Sequence, residues 1–154
     1  MNKDQIIKSV LAGFFSAITI GVLTLLTYKT ELGVFLIASF GSSMVLLFGY
    51  PENPFAQPKN IFFGHLLSAL VGMFFLYFIP LPLYITIPAS VGFAVGLMIL
   101  FKVTHPPAGS NPIIVIMGSV SLDYLINPII IGTVIVLIFG IVLNRLILKK
   151  KYPI

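Results

Sequence analysis

The segment 101–114, FKVTHPPAGSNPII, contains the residues of this chain that are best suited to chemistry. His105 supplies an imidazole ring, which can donate, accept or carry a proton near neutral pH. Pro106 and Pro107 follow it, and they prevent a regular helix because they lack amide donors and disfavour the helical region for the preceding residue. The motif therefore predicts a break in the secondary structure beside a titratable ring.

The residues after this break predict the start of a short helix. Ser110 or Asn111 is a suitable N-cap, and Pro112 suits the first helical position. Amides around Ala108, Gly109 and Ser110 would then be free, at the helix end that carries about half a positive charge. Such an end is a ready site for an anion.

The first half of the chain contains a weaker version of the same pattern at Gly41, Ser42 and Ser43. We expect the two helix starts to meet near the middle of the protein and to form one substrate-binding site. No carboxylate lies near either segment, so the sequence favours an anionic or neutral solute over a cation. Two histidines without cysteine or an acidic partner do not predict a metal site, and no cofactor motif is present.

Five further polar residues could line the pathway to this site: His65, Lys59, Lys102, Gln57 and Asn60. His65 either contacts the solute or makes a hydrogen bond between helices. The two lysines either attract anions to one mouth or anchor the chain at the membrane interface. Gln57 and Asn60 either face the pathway or close a turn. For His105 the alternative is a hydrogen bond to a loop carbonyl.

The composition places these residues in a membrane protein. Of the 154 residues, 58% are hydrophobic and 8% are charged, whereas a soluble domain has about 25% charged residues. The net charge of +5 comes from residues at the ends of apolar runs, which favours membrane anchoring and argues against a nucleic-acid partner.

Hydropathy predicts an all-α fold in one integral membrane domain, 1–154. Four stretches are long enough to cross a bilayer, at 10–28, 61–79, 83–101 and 129–148. Two shorter apolar stretches, 33–49 and 105–120, are interrupted by small polar residues and predict broken or re-entrant helices. Such irregular backbone is stable at membrane depth only where protein or a cavity surrounds it.

The two halves, about 10–79 and 83–148, predict an internal repeat. An offset of 68 residues places Ile61 on Ile129, Gly64 on Gly132 and the segment GSS at 41–43 on GSN at 109–111. If both short segments cross, there are six crossings and the halves are inverted; if both turn back, there are four. The positive-inside rule favours six, and both termini are cytoplasmic in either arrangement.

Three blocks of sequence resemble the HPP family of small integral membrane proteins. They are THPPAGSNP at 104–112, the block from FGSS to ALVG at 40–72, and NRLILKKKYP at 144–153. The resemblance implies four membrane-spanning helices and a transport function. Some members, in photosynthetic cells, are associated with nitrite transport, so nitrite is the solute that the resemblance suggests first.

The sequence thus predicts a multi-pass transporter or channel of the cell membrane for a small, nitrite-like anion. In that role His105 would supply a hydrogen bond or a proton, and proton-coupled transport would be possible. The alternative is a non-transporting assembly or regulatory subunit. No nucleophile or acid–base constellation is recognisable, so an enzyme is not expected. A bundle this small makes a homo-oligomer plausible.

Overall fold

The computed structural model describes residues 2–154, and these residues form helices and connecting loops without a β-strand. Six α-helices occur in the order α1 Lys3–Lys29, α2 Ala38–Met44, α3 Pro58–Phe78, α4 Leu83–Leu100, α5 Asn111–Gly118 and α6 Ile131–Val142. π-Helical turns extend α2 through Val45–Gly49 and flank α6 at Leu125–Ile130 and Leu143–Ile147. Short 3₁₀ helices cover Pro54–Ala56 and Pro106–Ser110.

Four of these elements are long and apolar enough to cross a membrane, which confirms the four predicted spans. They are Lys3–Lys29, Pro58–Phe78, Leu83–Leu100 and the continuous segment Leu125–Ile147. The first begins seven residues earlier than the apolar run, because Asn2 caps it and Asp4 lies in its first turn. Helix bounds therefore extend into the polar flank, which hydropathy does not detect.

The two short segments are helical, but the predicted start of the first one is wrong. Helix α2 begins at Ala38, and no side chain caps it, so Gly41, Ser42 and Ser43 lie inside the helix. The start of α5 at Asn111, with Pro112 in its first turn, agrees with the prediction, but neither Ser110 nor Asn111 caps the helix through its side chain. The 3₁₀ helix Pro106–Ser110 leads directly into α5, so the two prolines stand where a helix tolerates them.

Each short segment packs against a long helix of the other half of the chain. A Cβ atom at Gly64 would lie 3.0 Å from the Val103 carbonyl oxygen, and one at Gly132 would lie 2.7 Å from the Phe35 carbonyl oxygen. These two contacts are related by the same offset of 68 residues, which pairs Gly64 with Gly132 and Phe35 with Val103. Only glycine allows the backbones to come so close.

A second pair of contacts lies two helical turns further along and follows the same offset. A Cβ atom at Gly72 would lie 3.1 Å from Val115 Cβ, and one at Gly140 would lie 2.7 Å from Leu47 Cδ1. Helices α3 and α6 are thus grooved at equivalent positions. Each groove receives the short segment of the opposite half.

One end of the bundle gathers both ends of the described chain and the loop after α2. Lys8 lies 5.7 Å from the ring centre of Tyr50, and the Tyr152 hydroxyl donates to the Ala56 carbonyl at 2.8 Å. Burial, followed by the nearby charge of Lys8, lowers the pKa of Lys150. We call this region the basic end, since its segments carry every lysine and arginine except Lys29: Lys3, Lys8, Lys59, Lys102, Arg145 and Lys149–Lys151.

Candidate functional site

Five polar side chains meet in the interior of the bundle and form what we call the buried polar cluster. They are Ser39 and Ser43 of α2, His65 of α3, His105 before the 3₁₀ turn, and Asn111 at the start of α5. Each is at most 2% exposed. Side chains of this kind are rarely buried in a membrane bundle without a structural or functional reason.

The hydroxyl of Ser43 is the centre of the cluster. Its Oγ lies 2.8 Å from His105 Nε2 and 3.1 Å from His65 Nε2. It also lies 3.1 Å from the Ser39 carbonyl oxygen, one helical turn earlier. One hydroxyl therefore links the only two histidines of the chain.

A backbone carbonyl determines which nitrogen of His105 carries the proton. Nδ1 lies 2.7 Å from the Phe55 carbonyl oxygen, which can only accept, so Nδ1 of the neutral ring is the donor. Nε2 is then an acceptor, and the Ser43 hydroxyl donates to it at 2.8 Å. His105 thus makes the hydrogen bond to a loop carbonyl that was the alternative reading of its sequence, and it also makes a second bond inside the cluster.

A second carbonyl fixes the orientation of His65 through Asn111. The Asn111 amide nitrogen donates to the His65 carbonyl at 3.1 Å and lies 3.1 Å from His65 Nδ1. Because an amide nitrogen only donates, Nδ1 must accept, and the proton of neutral His65 is on Nε2. His65 Nε2–H therefore donates to Ser43, which donates onward to His105.

The first turns of α2 and α5 meet through side chains. Ser39 Oγ donates to Asn111 Oδ1 at 2.8 Å, which joins the two short helices. The predicted pocket of free amides is altered, because the Ala108 amide donates to the His105 carbonyl at 2.9 Å and the Asn111 amide to the Ala108 carbonyl. The continuous 3₁₀ turn uses these donors, so side chains provide the polar surface instead.

The remaining predicted binding residues lie at the outer side of the cluster. Ser42, Pro106, Pro107 and Ser110 line an open groove of about 490 Å³ between α2 and the 3₁₀ turn. Gly41 is exposed in a neighbouring groove, between α1 and α2, and Gly109 is partly exposed. None of the five cluster residues lines this groove, although Ser43 and His105 adjoin Ser42 and Pro106 in sequence.

Of the predicted pathway residues, only His65 belongs to the cluster. Gln57 closes a turn by donating to the carbonyls of Pro51 and Asn53, at 2.9 and 3.0 Å. Asn60 donates to the Thr104 carbonyl at 2.8 Å and so joins the start of α3 to the loop before His105. Lys59 and Lys102 are exposed at the basic end.

Three buried polar residues are not among the predicted site residues. Ser39 is one helical turn before Ser43, a spacing that places both hydroxyls on one face. Ser68, three residues after His65, donates to the Ala108 carbonyl at 2.6 Å. Thr133, which the 68-residue offset pairs with His65, is fully buried, and its Oγ1 has no hydrogen-bond partner among residues 2–154.

The cluster consists of groups that bind by hydrogen bonding. Within residues 2–154, no three His, Asp or Glu side chains are arranged to hold a metal ion. The rings of His65 and His105 lie 5.0 Å apart, centre to centre, and both direct Nε2 at the same hydroxyl. Such an arrangement can hold a small hydrogen-bonding solute, or pass a proton along the chain of bonds.

Comparison with known proteins identifies the chain's family. Residues 1–153 match the family model described as the HPP transmembrane region. The chain belongs to the HPP transmembrane family. Its four long apolar helices make it a membrane protein, and the HPP motif itself supplies His105 to the buried polar cluster.

Two relatives of the HPP chain are transmembrane proteins of Dictyostelium discoideum. One is 33% identical over 149 residues, which cover 90% of this chain and 48% of the relative. The other is 33% identical over 142 residues, which cover 86% of this chain and 50% of the relative. The HPP chain thus spans about half the length of these curated relatives. No solved structure matches it.

Proposed function

We propose that the HPP chain transports a small monovalent anion, nitrite being the first candidate, through the buried polar cluster. The observation that carries the proposal is the cluster itself. Two histidines, two serines and an asparagine are fully enclosed where the two short helices meet, inside a membrane bundle. Polar groups in that position are costly, and in membrane proteins they mark solute and proton pathways.

The chemistry of the cluster favours an anion. Its side chains carry N–H and O–H donors, which bond to each other and to backbone carbonyls in the structure and would have to turn toward an anion that enters. None of the four acidic residues of the chain, Asp4, Glu31, Glu52 and Asp123, belongs to the cluster. Lys59 and Lys102 are exposed at the basic end, near the loops that hold His105 and Phe55. Their charges would raise the local concentration of anions there.

We infer that both short segments cross the membrane, which gives six crossings. The first begins near the far end of α1, where the Phe35 amide donates to Thr27 Oγ1 at 2.9 Å, and it finishes at Tyr50 beside Lys8. The second starts at the basic end and reaches Val120, whose carbonyl accepts from Tyr77 near the far end of α3. These contacts support an arrangement in which each short segment begins at one end of the bundle and finishes at the other.

Six crossings make the two halves inverted relative to each other. The matched glycine contacts at Gly64 and Gly132, and at Gly72 and Gly140, support this repeat. Transporters built from inverted halves bind their solute where broken helices of the two halves meet, near the membrane midplane. We place the basic end on the cytoplasmic side of a cell membrane, because positively charged segments are enriched on that side.

Thr133 offers a second contact for the solute. Its Oγ1 is buried, and no residue among 2–154 bonds to it. An unpaired buried hydroxyl costs about 1–3 kcal/mol, and a water molecule or a passing anion would remove that cost. In the inverted repeat Thr133 occupies the position that His65 occupies in the first half, so the two halves would offer the solute related contacts.

Nitrite uptake into proteoliposomes tests the transport function. Vesicles with the purified chain should take up nitrite faster than protein-free vesicles, which also measure the leak of nitrous acid. A His105→Ala variant should lose about tenfold or more of the protein-dependent rate, because Ser43 and the Phe55 carbonyl lose their partner. Uptake equal to that of empty vesicles at every pH from about 5 to 8 would refute the proposal.

An assembly or regulatory subunit is the second candidate. A groove of about 740 Å³ between α1 and α2 favours it, since small and polar residues such as Ser9, Gly13 and Gly41 line its wall. Such a wall would suit a partner helix or a second copy of the chain. For this function His105→Ala would leave no flux to lose and would release a co-purifying partner instead.

A further inference from the structure

We propose that His65, Ser43 and His105 form a proton relay, and that one proton moves with each anion. The inference rests on the transport function proposed above and names its coupling ion. The carrying observation is geometric: one buried hydroxyl accepts from one histidine and donates to the other, at 3.1 and 2.8 Å.

Groups outside the relay fix the tautomers of both histidines, and the single Ser43 proton has two acceptors, His105 Nε2 at 2.8 Å and the Ser39 carbonyl at 3.1 Å, of which His105 is the nearer. The Phe55 carbonyl holds the proton of His105 on Nδ1, and the Asn111 amide holds that of His65 on Nε2. The relay therefore runs without a gap from the Phe55 loop, at the basic end, to Asn111, where α2 and α5 meet. That contact is the place proposed for the solute.

A transfer through the relay balances at each atom. A proton binds His65 Nδ1 when the Asn111 amide turns away from it. The His65 Nε2–H bond breaks as Ser43 Oγ gains that proton, and the Ser43 O–H bond breaks as His105 Nε2 gains the serine proton. His105 then releases its Nδ1 proton to water that replaces the Phe55 carbonyl. The reverse sequence carries a proton from the basic end toward Asn111.

Among residues 2–154, no other titratable side chain makes a hydrogen bond to the relay. The elements packed around it present Ser39 and Ser43 from α2, Asn111 from α5, the Phe55 carbonyl, and the Phe40 ring, whose centre lies 5.1 Å from that of His65. Because the two histidine rings are 5.0 Å apart, a charge on one opposes a charge on the other. The relay therefore holds at most one excess proton at a time.

One proton moving with one nitrite makes the transport electroneutral, and this gives a sharp test. Purified chain in proteoliposomes is given either a pH gradient or a potassium diffusion potential set with valinomycin. The protein-dependent initial rate should respond to the pH gradient and ignore the potential. Simple passage of the anion would respond to the potential, since a moving charge gains free energy from it.

The Ser43→Ala variant removes the link and leaves both histidines in place. Its proton-coupled nitrite rate should fall about tenfold or more. Ser68→Ala is the matched control, since it removes another buried hydroxyl beside the cluster, one that bonds the Ala108 carbonyl outside the relay. Ser43→Thr keeps the hydroxyl and should keep most of the coupled rate.

The outcomes separate the relay from the transport function. A wild-type rate that follows the electrical potential and ignores the pH gradient would overturn the relay but leave transport intact. So would equal losses in Ser43→Ala and Ser68→Ala. The absence of any protein-dependent nitrite uptake would instead remove the transport function. If Ser43→Ala does not fold, the wild-type response to the two gradients still decides.

Discussion

Replacing Asn111 with aspartate should reduce nitrite uptake about a hundredfold or more. The substitution keeps the shape of the side chain, which is fully buried between Ser39 and His65. A carboxylate about 4 Å from a passing anion opposes it by about 4 kcal/mol at an effective dielectric constant of about 20, and each 1.4 kcal/mol is a tenfold change. His65, at 3.1 Å, can take up a proton and offset part of this repulsion.

Asn144→Asp is the matched control for this prediction. Asn144 is also fully buried, but it donates to the carbonyls of Leu47 and Gly140, both at 2.9 Å, and does not contact the cluster. The Asn144→Asp variant should be less stable than wild type, because it also buries a charge. Its uptake per folded molecule should be nearly unchanged. Uptake by Asn111→Asp within about threefold of wild type would contradict an anion path through the cluster.

Alanine at Gly64 or Gly132 should destabilise the fold by about 1–3 kcal/mol each. The new methyl group would lie 3.0 Å from the Val103 carbonyl oxygen in one case and 2.7 Å from the Phe35 carbonyl oxygen in the other. These neighbours are backbone atoms, which cannot rotate away as the end of a flexible side chain would. The thermal unfolding of detergent-purified variants measures the loss.

Gly92→Ala provides the control, since a methyl group on this α4 residue meets nothing within 4 Å. It should stabilise the chain by about 0.5–1 kcal/mol through helix propensity. Because each added methyl group would press on a backbone carbonyl, at positions that the offset of 68 residues relates, the two variants should lose similar amounts of stability. A loss in one only, or in neither, would contradict the matched packing.

The elements were more predictable from the sequence than the contacts between them. The four long helices follow from the apolar runs, because a helix needs about 20 apolar residues to cross the bilayer and each run is about that long. The start of α5 follows in part from Pro112 in its first turn, since no side chain caps the helix and the Asn111 side chain bonds Ser39 and His65 instead. The start of α2 at Ala38 does not, since no side chain caps it and packing against Gly132 and its neighbours places it.

Four of the five residues of the buried polar cluster are singled out by the sequence, but the bonds between them are not. The sequence predicts His65 as a pathway residue, and it predicts His105, Ser43 and Asn111 as parts of two helix starts that bind the solute. Local sequence cannot show that the Ala108 amide is used by the 3₁₀ turn, or that the Ser43 hydroxyl joins both histidines. Those bonds depend on the close approach at Gly64, which brings His105 to α3.

The accessibility of Ser43 tests the central claim most directly, and the chain suits the experiment because it has no cysteine. A Ser43→Cys variant in proteoliposomes is treated with a small anionic methanethiosulfonate reagent, with Lys102→Cys as the exposed control and Leu23→Cys as the buried apolar control. If the cluster lies on an anion path, the reagent should modify Ser43→Cys, and nitrite should slow that modification. Labelling of Ser43→Cys as low as that of Leu23→Cys, while Lys102→Cys reacts, would contradict a solute path through the cluster.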